Sequence, residues 1–364
     1  MSTPSPLHAV HEALGASFTD FAGWAMPLRY GSELAEHKAV RTAAGLFDLS
    51  HMGEIELTGP QAAEALDYAL VGKLSAVAPG RARYTMVVNA EGGVLDDLVV
   101  YRLAEDRFLV VANASNAATV AGALVERAAG FDVEVVDRSA ATALIAVQGP
   151  TSAAVVAAVT GADLGALKYY ASVPATAAGH DVLLARTGYT GEDGFELYVP
   201  AEQATDVWAA LTEAGQGHGL VPAGLACRDT LRLEAGMPLY GNELSAALTP
   251  FDAALGRVVK FDKGDFVGRA ALERRRDADV PEQVLVGLRA EGRRAPRHGY
   301  PVHDSSGAVI GSVTSGALSP TLGHPVALAY VPVAHSAPGT TLAVDLRGKE
   351  LPVEVVALPF YRRA

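Results

Sequence analysis

The feature that most constrains the fold of this chain is an internal repeat. Residues 55–66 form a short apolar run, a Gly-Pro corner and an alanine-rich helical pattern, and residues 145–156 repeat that order. Proline suits the first turn of a helix, because the N–H that it lacks would have no partner there. A second pair of similar strands, at 108–114 and 195–201, each precedes a helical pattern at nearly the same offset. We therefore predict an α+β protein with two related units of the split βαβ, ferredoxin-like kind.

The character of the chain changes after about residue 277. Short apolar runs separated by Gly, Pro, Ser and Asp recur there, near 283–290, 308–314, 326–331, 341–346 and 351–357. This spacing predicts a third, all-β unit that forms a small barrel or jelly roll. The charged run at 273–279 is interpreted as the linker that leads into it.

Composition and charge narrow the class of protein. The 364 residues favour two or three domains, and with half of them apolar the chain can bury a core. The net charge of −12 argues against a general binder of nucleic acids or membrane surfaces, which would present a basic face. Cys227 is the single cysteine, no apolar stretch approaches a membrane span, and residues 1–17 lack the pattern of a signal peptide. We expect a cytoplasmic protein.

Motifs for several common mechanisms are absent from the sequence, namely GxGxxG, GxxxxGK[ST], HExxH, CxxC and GxSxG. Their absence weakens the case for a dinucleotide, a metal or a covalent nucleophile. His298 and His303 lie near each other in a turn-rich stretch, which favours a surface loop over a metal site. We expect no metal.

Two carboxylates, Asp96 and Asp97, open the otherwise apolar strand predicted at 94–101. Aspartate disfavours strands, and neighbours on a strand point to opposite faces. One of the pair should therefore face inward or toward a cleft. The alternative is that both residues only end the glycine-containing turn at 89–93.

A glycine-rich loop lies within residues 186–198. Its glycines would let the backbone approach a ligand closely, with Tyr189 as a stacking ring and Glu196 as a hydrogen-bond acceptor. The alternative is an ordinary glycine-rich hairpin turn. We interpret this loop as the counterpart, in the second unit, of the hairpin that carries Asp97, with both hairpins bordering one central cleft.

The third segment with candidate functional residues is the helix predicted between Pro222 and Gly236. Arg228 and Arg232 are four residues apart and therefore share one face of this helix. An arginine there could bind a carboxylate through its planar guanidinium. The alternative is a solvated helix face with internal ion pairs.

Seven motifs then follow one another along the chain: FAGWAMPLRYGS, AGLFDLSHMGEIELTGP, GGVLDDLVVY, RTGYTGEDGFELY, RDTLRLEAGMPLYGNEL, TPFDAALGRVVKFDKGDFVGRAAL and RRAPRHGYPV. In this order and spacing they resemble the T-proteins of the glycine cleavage system, over essentially residues 7–361. The resemblance implies a three-domain cloverleaf around a central channel, with two interleaved ferredoxin-like units and a C-terminal β-barrel or jelly roll. The domains expected are 1–52 with 138–220, 53–137 with 221–277 including a helical extension, and 278–364.

The resemblance also implies an activity. A T-protein is an aminomethyltransferase: the methylene carbon of an aminomethyl group on the lipoyl arm of the H-protein passes to tetrahydrofolate, and ammonia is released. Tetrahydrofolate is thus the expected co-substrate and the lipoylated H-protein the expected partner. One alternative is a folate-dependent demethylase, although the dimethylglycine type carries a flavin domain that is missing here. Another is a non-catalytic folate-binding scaffold, whose KGCYxGQE-like motif has no counterpart in the cysteine-free stretch 263–269.

Residue by residue, the resemblance assigns Asp97 as the catalytic carboxylate and Glu196 as the acceptor for the N–H groups of the pterin. It places Arg228, and more loosely Arg362, at the folate. Further residues expected in the folate site are Met52, Tyr84, Leu98, Tyr101, Asn113, Tyr169 and Tyr189. Arg257 stands where relatives often have tryptophan, so a stacking contact at that position is in doubt.

Overall fold

The computed structural model describes residues 2–278 and 282–363. The helices in these ranges are α1 His8–Ala13, α2 Glu33–Thr42, α3 Ala62–Ala69, α4 Ala117–Ala128, α5 Ser152–Thr160, α6 Ala204–Gly215, α7 Leu225–Glu234 and α8 Arg269–Asp277. The strands are β1 Thr3–Pro4, β2 Ser17–Phe21, β3 Trp24–Arg29, β4 Ala44–Asp48, β5 Gly53–Thr58, β6 Arg81–Val88, β7 Val94–Ala104, β8 Arg107–Ala112, β9 Glu134–Asp137, β10 Thr142–Gln148, β11 Ser172–Ala177, β12 His180–Ala185, β13 Gly194–Pro200, β14 Leu220–Pro222, β15 Val284–Ala290, β16 Pro301–His303, β17 Val309–Leu318, β18 Pro325–Val331, β19 Thr341–Asp345 and β20 Glu350–Val356. None of the helices described is long and apolar enough to cross a membrane.

The first repeat unit is a five-stranded antiparallel sheet in the order β6-β7-β8-β5-β9. Apart from the edge strand β6, the path β5-α3-β7-β8-α4-β9 is the split βαβ arrangement. One face of the sheet packs on α3 and α4 in an apolar core that includes Ile55, Leu66, Phe108 and Leu124. The residues that alternate with these along the strands face away from the two helices.

The second unit follows the same path through β10, α5, β11, β12, β13, α6 and β14, with the sheet order β11-β12-β13-β10-β4-β14. Strand β4 is inserted between β10 and β14, although it precedes the whole first unit in the chain. The two units are therefore interleaved, as the fold prediction requires. The exact domain boundaries stay a prediction, and the one at residue 220 falls inside β14.

The two Gly-Pro corners of the repeat are built alike. Gly59 and Gly149 have φ of +153° and +133°, and an added Cβ at either one would lie within 2.5 Å of a backbone oxygen. Only glycine fits such a position without displacing the neighbouring chain. The same close approach, once to Asp132 and once to Ala43, therefore fixes the start of α3 and of α5.

The predicted equivalence of the two glycine-rich hairpins is wrong. Asp97 follows the turn between β6 and β7, whose counterpart in the second unit is the turn between β11 and β12. The loop at 186–193 joins β12 to β13 and so corresponds to the short turn between β7 and β8. Each unit has an additional edge strand and therefore two successive turns between strands. Glycine content alone does not show whether a turn is the first or the second of these.

The third unit is a closed barrel in the order β15-β18-β17-β16-β19-β20, which confirms the predicted C-terminal barrel. The linker prediction is wrong for residues 273–277, which form the last turns of α8, whereas Asp279 lies outside the described residues. The charges of this helix have partners on the protein: Arg275 pairs with Asp252, and Arg276 lies 4.4 Å from the ring centre of Phe261.

The faces of the two sheets that are not covered by helices pack on each other. Their shared core includes Phe47 of β4, Leu109 of β8, Leu144 of β10 and Leu231 of α7. Tyr101 of β7 and Tyr198 of β13 meet edge to face there, 5.6 Å apart. Helix α7 also contacts β17 and β18 of the barrel. Residues from all three units consequently converge around α7.

Candidate active site

A cavity of about 430 Å³ lies where the two sheets, α7 and the C-terminal segment meet. This volume is in the range of roughly 300–1,000 Å³ that is usual for small-molecule sites. The aromatic residues on its wall are five tyrosines, namely Tyr84, Tyr101, Tyr170, Tyr189 and Tyr198. Two carboxylates, Asp97 and Glu196, and the cation of Arg228 also line it.

Asp97 contributes the carboxylate at one wall of the cavity. Tyr84 Oη donates a hydrogen bond to Oδ2 over 3.0 Å, and Asn113 Nδ2 donates to Oδ1 over 2.9 Å. Burial raises the pKa of Asp97 above its ordinary value, although these two hydrogen bonds oppose the rise. The carboxylate is thus fixed in place and has no cation paired with it within 4 Å among the described residues.

Asp96 has a different environment, as expected for its neighbour on a strand. It is fully buried and does not line the cavity. Its carboxylate accepts hydrogen bonds from Asn113 N at 2.9 Å, Asn113 Nδ2 at 2.9 Å and Asn116 Nδ2 at 2.7 Å. Burial and the nearby charge of Asp97 raise the pKa of Asp96 to about 7. Because Asn116 precedes α4, Asp96 ties the start of that helix to β7.

Glu196 faces the cavity from β13. It accepts hydrogen bonds from Thr187 Oγ1 and, over 3.4 Å, from Tyr101 Oη. Burial raises the pKa of Glu196, while the Thr187 hydrogen bond and the positive charge of Arg228 act in the opposite direction. Donors on a ligand would favour the ionised form further.

The glycines of the 186–198 loop have a role that differs in part from the expected one. Gly188 lines the cavity, as predicted for close approach to a ligand. However, a Cβ at Gly188 would lie 2.0 Å from Gln148 Oε1, and one at Gly194 would lie 2.2 Å from Gln148 Nε2. These two glycines therefore make room for a buried glutamine of β10, whose Nε2 donates to Thr187 O over 3.0 Å.

The two arginines of α7 differ sharply in their partners. Arg232 is 1% exposed, forms ion pairs with Asp229 and Glu243, and donates to Ser315 Oγ of the barrel over 2.7 Å. In the described parts of the chain, the guanidinium of Arg228 has neither a carboxylate within 4 Å nor a hydrogen bond. It lies 4.8 Å from the ring centre of Tyr189. A cation that lines a cavity without a counter-ion is suited to binding an anion.

Comparison of the sequence with models of known protein families identifies the family of this chain. The model described as the GCVT N-terminal domain matches residues 7–263, and that of the glycine cleavage T-protein C-terminal barrel domain matches residues 283–362. The chain belongs to the glycine cleavage T-protein family. This confirms the resemblance that was based on the seven motifs.

Individual relatives of this T-protein family member share nearly its whole length. An aminomethyltransferase from Streptomyces coelicolor is 67% identical, over 98% of this chain and 97% of that protein. One from Saccharopolyspora erythraea is 65% identical over the full length of both. The crystal structure of glycine cleavage system aminomethyltransferase T from Bartonella henselae, 40% identical, superposes with a TM-score of 0.93 over 99% of this chain and 98% of that one. The predicted fold and enzyme class, an aminomethyltransferase of the glycine cleavage system, are confirmed.

Most residues that the T-protein resemblance assigned to the folate site line the one cavity. These are Met52, Tyr84, Asp97, Leu98, Tyr101, Asn113, Tyr189, Glu196 and Arg228. Arg257, at the position that is often tryptophan in relatives, lines it too. Their roles in the reaction stay predictions.

Tyr169 and Arg362 are placed elsewhere. They line a shallower pocket that adjoins the cavity and shares Ala235, Met237 and Pro359 with it. Tyr170, which has a φ of +58°, is the residue of its pair that lines the cavity, whereas Tyr169 is 47% exposed. The two tyrosines cannot be distinguished by sequence pattern alone.

Sequence reasoning missed Tyr198 and Thr187, which also line the cavity. Tyr198 follows Glu196 by two residues on β13, so strand alternation could have identified it. Thr187 offers no comparable signal. The surface-loop prediction is wrong for His303, which is the last residue of β16. His298 Nδ1 lies 2.8 Å from Thr314 O, and His303 Nδ1 lies 3.3 Å from Glu350 Oε1.

Proposed function

We propose that this aminomethyltransferase binds tetrahydrofolate in the cavity described above and attaches to it the methylene carbon of an aminomethyl group carried by a lipoylated H-protein. The observation that carries the proposal is that Asp97, Glu196, Arg228 and five tyrosine rings all line one cavity. Folate combines a flat bicyclic ring bearing N–H groups, a second aromatic ring and a carboxylate tail. The cavity offers a complementary surface for each of these parts.

The pterin fits the part of the cavity around Glu196. Tyrosine rings can pack against its flat faces, and the carboxylate can accept hydrogen bonds from its amino and ring N–H groups. Thr187 and Tyr101 already orient the carboxylate by donating to it. We expect ligand donors to replace the weaker of these contacts, at 3.4 Å from Tyr101.

The carboxylate tail of the folate fits the guanidinium of Arg228. Tyr189 supports the flat guanidinium from one side, and this leaves the N–H edges free for a bidentate contact. We propose that Arg362 and Tyr169 in the adjoining pocket bind a longer tail, since that pocket shares the wall residues Met237 and Pro359 with the cavity.

Asp97 is proposed to act on the folate nitrogens. When the C–N bond of the aminomethyl group breaks, its electron pair leaves with ammonia and the carbon becomes cationic. A nearby carboxylate stabilises this charge and can take a proton from a folate N–H as the new C–N bonds form. The folate loses two protons in total, one of which is gained by ammonia and one by the sulfur when the C–S bond breaks. Holding both substrates in one cavity supplies much of the rate.

Folate binding can be tested by thermal shift. Tetrahydrofolate at 100 times its Kd should add about 2.7 kcal/mol to the free energy of unfolding of the wild-type protein. Arg228→Lys should weaken binding by about tenfold or more, because an ammonium keeps the charge but cannot form the bidentate contact. Arg294→Lys, a change at an exposed arginine, is the matched control and should bind as the wild type does. Equal affinity in all three proteins would exclude Arg228 from the folate site.

A lipoylated H-protein is proposed as the partner, and we expect basic residues to guide it to the cavity. Residues 256–300 contain more Arg and Lys than Asp and Glu, whereas H-proteins are usually acidic. The KM for H-protein should therefore rise with salt concentration, since salt screens the attraction between exposed charges. Initial rates between low and physiological ionic strength measure this dependence, and a salt-independent KM would contradict it.

We also propose that the enzyme acts in the cytoplasm. In support, Cys227, its single cysteine, is buried and free of any disulfide. A reducing compartment suits such a chain. Fractionation of cells that express the tagged protein tests the compartment directly.

A further inference from the structure

A second cavity adjoins the main one. It has a volume of about 90 Å³ and shares four wall residues with the main cavity, Met52, Asn113, Tyr189 and Arg228. We call it the side chamber, and its own walls include His51, Ser115 and Phe21. A cavity of only about 10–15 Å³ is enough to hold one water molecule, so the chamber has room for a small polar molecule.

His51 is the unexplained polar group of the side chamber. It is 4% exposed, and neither of its ring nitrogens has a hydrogen-bond partner among the described residues. Nδ1 is fully buried, so Nε2 is the nitrogen left to face the chamber. Burial, together with the positive charge of Arg228, lowers the pKa of His51 to about 4. At neutral pH the imidazole is therefore uncharged, with one nitrogen that donates and one that accepts a hydrogen bond.

The charges around the chamber select against a cation. Asp229, on its wall, is already paired with Arg232. Arg232 lines the chamber as well, and the folate carboxylate proposed to bind Arg228 would be paired in turn, so the described residues leave no free carboxylate there for an ammonium ion. A small neutral molecule with N–H donors matches this environment better than a charged one, because a neutral imidazole can accept from it.

We propose that the side chamber receives the ammonia released from the aminomethyl group, with a neutral ring nitrogen of His51 accepting a hydrogen bond from it. The inference rests on the proposed function, in which the electron pair of the broken C–N bond stays on the nitrogen. The nitrogen also gains one of the two protons that the folate loses, so it leaves as neutral NH₃. No bond is made or broken at His51, and no proton is transferred to it.

The position of the chamber suits an exit for this product. Phe21 is 37% exposed and the side chain of Asp229 is 55% exposed, so the outer wall borders solvent. The chamber and the pocket at Tyr169 and Arg362 have no lining residue in common. The chamber is therefore separate from the pocket proposed for a longer folate tail, and its outer wall gives the ammonia a route to solvent.

The reverse reaction tests the proposal, because ammonia is then a substrate whose KM can be measured. Methylenetetrahydrofolate, dihydrolipoyl H-protein and varied ammonium chloride are supplied at fixed pH, and the aminomethyl H-protein formed is measured. His51→Leu should raise the KM for ammonium by about tenfold, the usual scale for one lost hydrogen bond. The KM for methylenetetrahydrofolate should stay within about twofold of the wild-type value, a change too small to signal a lost contact.

Two further variants sharpen the test. His51→Gln keeps a hydrogen-bond acceptor and should recover most of the affinity for ammonium. His303→Leu, a histidine replaced on the barrel, should behave as the wild type does. If His51→Leu does not fold, Ser115→Leu narrows the same chamber from an exposed position and should raise the KM for ammonium likewise.

Other results would overturn the inference. One is an unchanged KM for ammonium in the folded His51→Leu and Ser115→Leu proteins. Another is a rise in the KM for methylenetetrahydrofolate instead, which would make the chamber part of the folate site. These outcomes require an active wild-type protein. A wild-type protein that forms no aminomethyl H-protein would contradict the proposed function itself, and the ammonia site with it.

Discussion

Replacing Asp97 with asparagine is expected to lower kcat by about a hundredfold or more, the usual scale for a lost proton-handling or charge-stabilising group. Folate should still bind, because asparagine keeps the shape of the side chain.

The activity of the wild-type protein should also depend on pH. Ionised Asp97 is the active form, and burial raises the pKa of Asp97. As the pH is lowered, activity should therefore fall at a higher pH than an exposed aspartate would give. Single-turnover rates across pH, with folate binding measured separately, check both expectations.

Asp96→Asn is the matched control for this prediction. Both oxygens of Asp96 accept N–H donors, and an amide in its place would turn a donor toward one of them. We expect a loss of about 1–3 kcal/mol in the free energy of unfolding, the scale for an unsatisfied buried polar group. Its kcat should stay within a few fold. A nearly normal kcat for Asp97→Asn, or an inactive but stable Asp96→Asn protein, would show that the catalytic carboxylate has been wrongly assigned.

The second large effect concerns stability and separates the two arginines of α7. Arg232→Met should lower the free energy of unfolding by about 3–5 kcal/mol, because it leaves a buried carboxylate without its cation. That carboxylate is Glu243, which is fully buried and accepts from Arg232 Nη1 over 3.0 Å. The change also removes the hydrogen bond to Ser315, which joins α7 to the barrel.

Arg228→Met is the control, since Arg228 has no comparable ion pair in the described structure. It should keep nearly the wild-type stability and lose affinity for folate, the opposite of the Arg232 variant. Chemical denaturation of the two proteins without ligand measures the difference. Equal losses of stability would contradict a ligand-binding role for Arg228 and a structural role for Arg232.

These two arginines also show what a sequence pattern can and cannot predict about a site. Helical spacing places both on one face, but it does not show which one meets a counter-ion. Glu243 and Ser315, which settle the matter for Arg232, lie in separate parts of the chain beyond α7. Partners brought together by tertiary packing leave no local signal in the sequence.

The strand that carries Asp96 and Asp97 was more informative. Alternation along a strand predicts that the two side chains separate, and only Asp97 lines the cavity. Similarly, the repeated Gly-Pro corners predict two related units, because each corner begins a helix on the face of a sheet. The inserted strand β4 and the additional edge strands β6 and β11 have no such repeat signal. That is why the counterpart of the Asp97 hairpin was wrongly predicted.

The central claim is that this cavity joins a methylene carbon to tetrahydrofolate. The most direct measurement is to incubate the purified protein with aminomethylated H-protein, with and without tetrahydrofolate, and to measure methylenetetrahydrofolate and ammonia. We predict that both products form in equal amounts, that methylenetetrahydrofolate needs both substrates, and that Asp97→Asn slows its formation by about a hundredfold or more. The account would be contradicted if the wild-type protein formed no methylenetetrahydrofolate from the two substrates. It would also be contradicted if Asp97→Asn formed it at the wild-type rate.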